Sequence, residues 1–188
     1  MSLRRVAAKS GLTQHMRSKD PQKRVIMPKP DLDRIDRRIL EGLQADARIS
    51  NVDLADRVAL SPSPCLRRVR RLEEDGVVRG YRAVIDRKAV GLGLTVFVEI
   101  KVARHSLETA AELQDRLVAI PEVVACHMVS GMADFLAEVV VPDLEAYERV
   151  LTDKLLTIGV IEDIRSNFAI RSVKVDGPLP LERLEDIA

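Results

Sequence analysis

Residues Ile49–Tyr81 read ISNVDLADRVALSPSPCLRRVRRLEEDGVVRGY. Two short helical patterns are separated by a narrow gap, and the second carries Arg67, Arg68, Arg70 and Arg71. Ser50 or Asn51 is placed to N-cap the first helix, because either side chain accepts a bond from an orphan amide. Val52, Leu54, Ala55 and Val58 supply its apolar positions, and Leu60 falls in the connection. Ser61 and Ser63 are cap candidates for the second helix. Pro64 suits its first turn, where a missing amide costs nothing. Cys65, Val69 and Leu72 recur at helical spacing and mark one face. At about 100° per residue, Arg67, Arg70 and Arg71 project from the opposite side, with Arg68 at the margin. Gly76 suits the C′ position that ends a helix. Val77 to Ile85 then reads as a short strand pair, or wing, with Gly80 near its turn.

A tight two-helix unit whose second helix is faced with arginine is how a chain offers a helix to the DNA major groove. The bland reading is a solvated helix face. Such faces mix charge signs for i, i+4 pairing, whereas Glu73, Glu74 and Asp75 are held to the last turn. Acids there oppose the helix dipole, so helix stability does not explain the arrangement. Double-stranded DNA is therefore the expected partner of Ser61, Ser63, Pro64, Arg67, Arg68, Arg70 and Arg71.

Working outward, Leu32, Ile35, Ile39, Leu40 and Leu43 form an amphipathic helix that starts near Asp31 or Asp33. Residues 31–85 thus make a winged helix-turn-helix domain. Residues 1–30 are basic, weakly apolar and end in Met27-Pro28-Lys29-Pro30, which reads as a disordered arm. Such an arm can contact phosphates, be an expression remnant, or follow a start placed before Met27; the nonfunctional readings are favoured. Residues 86–93 form a linker containing Gly91 and Gly93.

Beyond the linker the two periods alternate. Leu94 to Val102 is a strand, Ser106 caps a helix to Ala119, Val123 to Val129 and Phe135 to Val141 are strands, and Asp143 caps a helix through Leu155. Val160 to Val173 completes the sheet. The order βαββαβ predicts a ferredoxin-like α+β domain over 94–175, both helices on one sheet face, with 176–188 as a tail. The opposite face carries Thr95, Phe97, Glu99 and Lys101, mixed enough to be solvated or a partner surface.

The 188 residues carry a net charge of only +1. The distribution is uneven: residues 1–30 hold +7, 31–85 hold +1 and 86–188 hold −7. A basic front suits a chain whose N-terminal half meets polyanions. Cys65 and Cys126 fall in apolar patterns and read as core thiols. His15, His105 and His127 show no ligand spacing, so no metal and no cofactor is expected. No apolar run approaches the roughly 18 residues of a membrane span, and no secretory stretch opens the chain, so a cytoplasmic protein with no membrane contact is expected.

Topology does not decide what residues 94–175 do. RNA binding is disfavoured, because no Lys/Arg-Gly-aromatic motif is present and this half is acidic. Catalysis is disfavoured too. Asp134, Glu138 and His127 are candidates in isolation, but no nucleophile–base pair or phosphate-binding glycine loop accompanies them. One turn stands out: Val129-Ser130-Gly131-Met132-Ala133-Asp134-Phe135. A glycine lets amides approach an anion, and a carboxylate three residues on pairs with an ammonium. A free amino acid needs both. An ordinary hairpin, with Gly131 turning and Asp134 capping, explains the same residues and is locally the simpler reading.

From Leu32 to Lys174 the chain closely resembles the Lrp/AsnC family of bacterial and archaeal transcription regulators, nearest its leucine-responsive branch. The residues that carry the resemblance are Leu32-Asp33-Arg34-Ile35-Asp36, Arg48-Ile49-Ser50-Asn51, Leu60 through Cys65, Arg67 through Glu73, Cys126 through Gly131, Asp134 and Val141-Pro142-Asp143. The resemblance implies a DNA-binding regulator of amino-acid metabolism. It implies sheet-to-sheet homodimers that associate into octamers or related rings. It also implies small amino-acid effectors bound between subunits. Met128, Gly131 and Asp134 match the turn side of that pocket, and Asn167, Phe168 and Ala169 the last-strand side. Where the leucine-responsive branch would carry Tyr-Val-Val, this chain has Asn-Phe-Ala, which changes polarity and volume. A reading from a different class is an amino-acid sensor that regulates a partner enzyme by protein contact, its helical half used for docking.

Overall fold

The computed structural model describes residues 31–103 and 106–181. The expected basic arm, His15, His105 and the end of the tail lie outside the described residues. The chain divides into two compact units. One is built from Ile49–Arg79 with the residues up to Gly42, and the other from Leu43–Arg48 with the residues from Gly80 on.

The first unit is formed by α1 (Arg34–Ala45) as far as Gly42, with α2 (Asn51–Arg57) and α3 (Pro62–Glu74). Asp33, not Asp31, caps α1: its carboxylate accepts the Asp36 amide at 2.8 Å, and Asp36 accepts the Asp33 amide in return at 3.3 Å. This reciprocal cap satisfies two orphan donors at once. Ser50, rather than Asn51, caps α2 by accepting the Asp53 amide at 3.1 Å. Asn51 instead ties α2 to α3, donating from its side-chain amide to the Pro62 carbonyl at 2.9 Å. Ser61 occupies the N-cap position of α3 without a side-chain bond, Pro62 opens the helix, and Ser63 and Pro64 complete its first turn.

Ile39, Leu40, Leu54, Ala55, Val58, Cys65 and Leu72 form the buried core of this unit, while Val52 is exposed. Gly76, with φ of 70°, ends α3 as expected, and the Val78 amide closes back onto the Leu72 carbonyl at 3.0 Å. The expected strand pair over 77–85 does not form. No residue between Val77 and Gly93 is a strand, because an extended segment gains ladder bonds only beside a neighbour, and the described residues provide none there.

The second unit contains β1 (Leu94–Val102), α4 (Leu107–Val118), β2 (Val123–Met128), β3 (Phe135–Val141), α5 (Leu144–Val150), a π-helical turn over Leu151–Leu155, and β4 (Ile161–Phe168). The four strands are antiparallel in the order β2-β3-β1-β4. This is the ferredoxin-like arrangement that the element order predicts. Ser106 and Asp143 cap α4 and α5 through the amides of Thr109 and Ala146. Val96, Val98, Ile100 and Val102 of β1 and Phe135, Ala137 and Val139 of β3 pack with Leu113, Leu117, Tyr147, Val150 and Leu155 into one core. Burying a side chain of this kind contributes about 1.5–3 kcal/mol.

β4 stops at Phe168 rather than at Val173, because the last bond on that side runs from the Ala169 amide to the Thr95 carbonyl and β1 begins only at Leu94. Residues 86–92 fold into a turn that Asp86 organises by accepting the Lys88 amide at 2.9 Å. Arg87 then reaches Glu138 at 2.6 Å and Thr95 at 3.3 Å on the face away from the helices.

Candidate DNA interface and effector site

The four arginines of α3 do not share one environment. Arg67 and Arg70 are exposed and make no ion pair with any described residue. Arg68 bonds Asp33 at 2.6 Å and Asp36 at 2.9 Å, while Arg71 bonds Asp36 at 2.5 Å. Asp36 is 1% exposed, whereas Arg68 is 26% and Arg71 48% exposed. Burial pushes the Asp33 carboxyl up. The Asp36 amide and the Arg68 guanidinium outweigh that and hold it below the usual carboxylate range, and the same pairing raises Arg68. Burial raises the Cys65 thiol, which suits the core role expected of it.

Along the outer side of α3 runs an open groove of about 650 Å³, bordered by Ser63, Leu66, Glu74 and all four arginines, Arg67, Arg68, Arg70 and Arg71. Ser63 and the arginines therefore share one accessible surface, while Ser61 is exposed and Pro64 half-buried at the start of the helix. Sequence spacing places Arg67 and Arg70 on this surface. It misses the partners of Arg68 and Arg71, which lie 32 to 35 residues away.

In the second unit Gly131 adopts φ of 129°, the left-handed region that favours glycine, as the turn requires. Asp134 is half-buried. Its carboxylate accepts the Val102 amide at 2.9 Å, its own amide donates to the Ile100 carbonyl at 3.0 Å, and its carbonyl accepts the Val129 amide at 2.9 Å. Asp134 thus stitches the hairpin to the end of β1. Met128 is 65% exposed nearby.

On the other side, Asn167 donates to Glu99 at 3.1 Å, and Phe168 meets Tyr147 edge-on at 5.5 Å between ring centres. Burial raises the Tyr147 hydroxyl, against a smaller lowering by its bond to Ser166 at 2.5 Å.

The two sides do not meet within one chain. The turn flanks Phe135, which pairs with Ile100, and Ile100 pairs with Ile164; Phe168 pairs with Val96. Four residues along a strand amount to about 13 Å, more than one small amino acid spans. What the turn does adjoin is an open cavity of about 410 Å³. Met132 and Ala133 line it from the turn, and Glu99, Lys101, Glu162, Asp163 and Arg165 from the sheet. Lys101 and Glu162 approach to 3.7 Å, and Arg165 and Asp163 to 3.5 Å. The β1 alternation already puts Glu99 and Lys101 on this face. Asp163 and Arg165 follow the same period in β4 and were open to the same reading.

Comparison with known proteins agrees with both halves. Residues 32–79 match a winged helix-turn-helix DNA-binding model, and residues 95–179 match the Lrp/AsnC ligand binding domain. The chain belongs to the Lrp/AsnC family of transcriptional regulators. It is 42% identical over 155 residues to a leucine-responsive regulatory protein of Klebsiella pneumoniae, covering 82% of this chain and 94% of the relative. Among solved structures, a Neisseria meningitidis transcriptional regulator in complex with L-Met superposes with a TM-score of 0.77 at 37% identity, covering 81% of this chain and 99% of the other. An AsnC family transcriptional regulator from Agrobacterium tumefaciens gives 0.77 at 41% identity with the same coverage. No described helix of the regulator is long and apolar enough to cross a membrane. No cluster of three or more metal-ligating side chains occurs among the described residues.

Proposed function

We propose that this regulator reads duplex DNA with α3 and that a small amino acid tunes it through the second unit. On this reading residues 31–85 are the DNA-binding domain, 86–93 the linker, and 94–175 the effector-binding and oligomerisation domain. The observation that carries the DNA reading is the open groove of α3 with Arg67 and Arg70 exposed beside it. Ser61 and Ser63 bring backbone amides to the start of the same helix, where Pro62 and Pro64 have none, and could meet a phosphate there. An arginine-faced helix with two guanidinium groups that pair with no described residue favours this function over docking to a partner enzyme.

The effector pocket is proposed to close across two copies. Met128, Gly131 and Asp134 of one face Asn167, Phe168 and Ala169 of the other, since one chain holds these sets apart. A homodimer meets that need, and octamers or related rings built from it are what the family resemblance implies. The relative solved with L-Met makes an amino acid the ligand class of choice. Asp134 sets a carboxylate beside the turn, the charge that an effector's ammonium would pair with. Met128 and Phe168 favour a medium apolar side chain.

The test is a pair of titrations. Fluorescence anisotropy with promoter duplex should show affinity falling steeply with salt, and Arg67→Ala with Arg70→Ala should each cost about 1–3 kcal/mol if they read bases. Thermal shift against the twenty amino acids should pick out a few apolar ones, since a ligand of the native state raises the melting temperature. A chain that binds no duplex at physiological salt overturns the DNA reading, and a flat amino-acid screen overturns the effector reading.

A further inference from the structure

Arg68 and Arg71 share the sequence signature of a DNA contact with Arg67 and Arg70, yet both are tied to carboxylates of α1. Asp36 is the centre of that tie. Its side chain is 1% exposed, one oxygen accepts Arg68 at 2.9 Å, and the other accepts Arg71 at 2.5 Å and the Asp33 amide at 3.3 Å. Asp33 adds a second bond to Arg68 at 2.6 Å. Every oxygen of the buried carboxylate is engaged. The four side chains sum to no net charge, so the outward positive charge of α3 comes from Arg67 and Arg70.

A buried carboxylate stripped of its partners carries a large desolvation cost. Phosphates that drew both guanidinium groups away would have to repay it. The pairs also fix the rotation of α3 about its own axis against α1, because a carboxylate held by two residues three apart allows only one setting of the helix.

We infer that Asp36 is a positioning residue for DNA reading: it pairs Arg68 and Arg71 where they border the groove, so that two arginines rather than four offer an unneutralised charge to DNA. This rests on the DNA-binding reading of α3. Its consequence is specificity. Counterion release strengthens binding to every sequence alike, and withholding two cations lowers that shared term without touching base contacts.

The experiment uses the full chain, a duplex selected by this protein from random-sequence DNA, and an unselected duplex of the same length. Affinity for each is measured by anisotropy over about 50–200 mM salt. Asp36→Asn frees Arg71 and loosens Arg68, which keeps its bond to Asp33. The slope of log K against log salt should steepen by about one, from roughly 0.9 per added phosphate contact, and the preference for the selected duplex should fall about tenfold. A bare structural staple would weaken binding without steepening the slope. A folded Asp36→Asn chain with unchanged slope and preference overturns the inference.

Should Asp36→Asn fail to fold by thermal denaturation, Arg71→Gln decides alone, because it leaves the bond between Arg68 and Asp36 in place. Its slope on the selected duplex should stay within about 0.3 of wild type, whereas Arg67→Gln or Arg70→Gln should each lose about 0.9 if they bind phosphate. A loss of about 0.9 with Arg71→Gln overturns the inference while leaving DNA binding by α3 intact. A wild-type chain that binds neither duplex overturns both.

Discussion

Asp134 accepts the amide that ends β1 and stands at the lip of the turn that carries Gly131. Asp134→Asn keeps a side-chain acceptor for Val102 and removes only the charge. An ammonium desolvated against it then loses its paired acid, a costly state. The variant should fold normally, bind DNA as wild type without ligand, and show no stabilisation by the apolar amino acid that stabilises the parent. Titration calorimetry giving wild-type affinity for that ligand would return the turn to an ordinary hairpin.

The other side chains differ in how far sequence could place them. Ser50, Ser106 and Asp143 bond an amide three residues on, so local spacing suffices to find them. The partner of Arg71 is 35 residues away and on another helix. Periodicity tells which way a guanidinium points, not which carboxylate waits for it. Replacing Ser50 with alanine should cost about 1 kcal/mol, read as a lower urea midpoint with an unchanged m-value.

Among the elements, the turn between α2 and α3 holds a position that sequence hid. Ala59 has φ of 58°, and the next amide, of Leu60, closes onto the Ala55 carbonyl at 2.9 Å. Left-handed backbone costs an L-residue roughly 1–2 kcal/mol, and glycine would have announced the turn. Ala59→Gly should therefore raise stability by a few tenths to about 1 kcal/mol, after the extra chain entropy of glycine is charged against it; a lower urea midpoint would contradict the turn.

The π-helical turn Leu151–Leu155 was equally invisible, because Tyr147, Leu151 and Leu155 keep an apolar spacing that reads as ordinary helix in sequence. It brings Lys154 to Glu122 at 2.6 Å, just ahead of β2. Lys154 holds the Glu122 carboxyl below its ordinary 4.5, against a smaller upward push from burial. A depressed carboxyl adds stability above its unfolded value, and that stability is lost as pH falls through the folded value. Wild-type stability should thus decline as pH drops below about 4.5, and Lys154→Met should flatten part of that decline. Both side chains are partly exposed, so the difference at neutral pH should stay below about 1 kcal/mol. An unchanged acid limb in the variant would deny the pair any role.

For the whole molecule, element order was enough to give a helical unit followed by a ferredoxin-like one. What it could not give is which surfaces a second copy covers, since alternation along β1 separates inside from outside without naming the outside's partner. Phe97 is 39% exposed on that face, among Glu99, Lys101 and Arg165. The effector sets lie at opposite ends of one sheet and need a second copy to meet. Residues 93–188 alone should therefore assemble, and residues 31–85 alone should remain monomeric. The isolated helical fragment should also bind DNA poorly. One module offers few contacts, and linking two readers multiplies avidity by about 10²–10⁴ when both half-sites are in reach. Full-length protein should accordingly prefer half-sites about one helical turn apart, or a multiple of that, and should lose the gain when the spacing is shifted by half a turn. Sedimentation of 93–188 as a monomer, or full affinity from 31–85 alone, would place both the pocket and the avidity within a single chain and defeat the two-copy account.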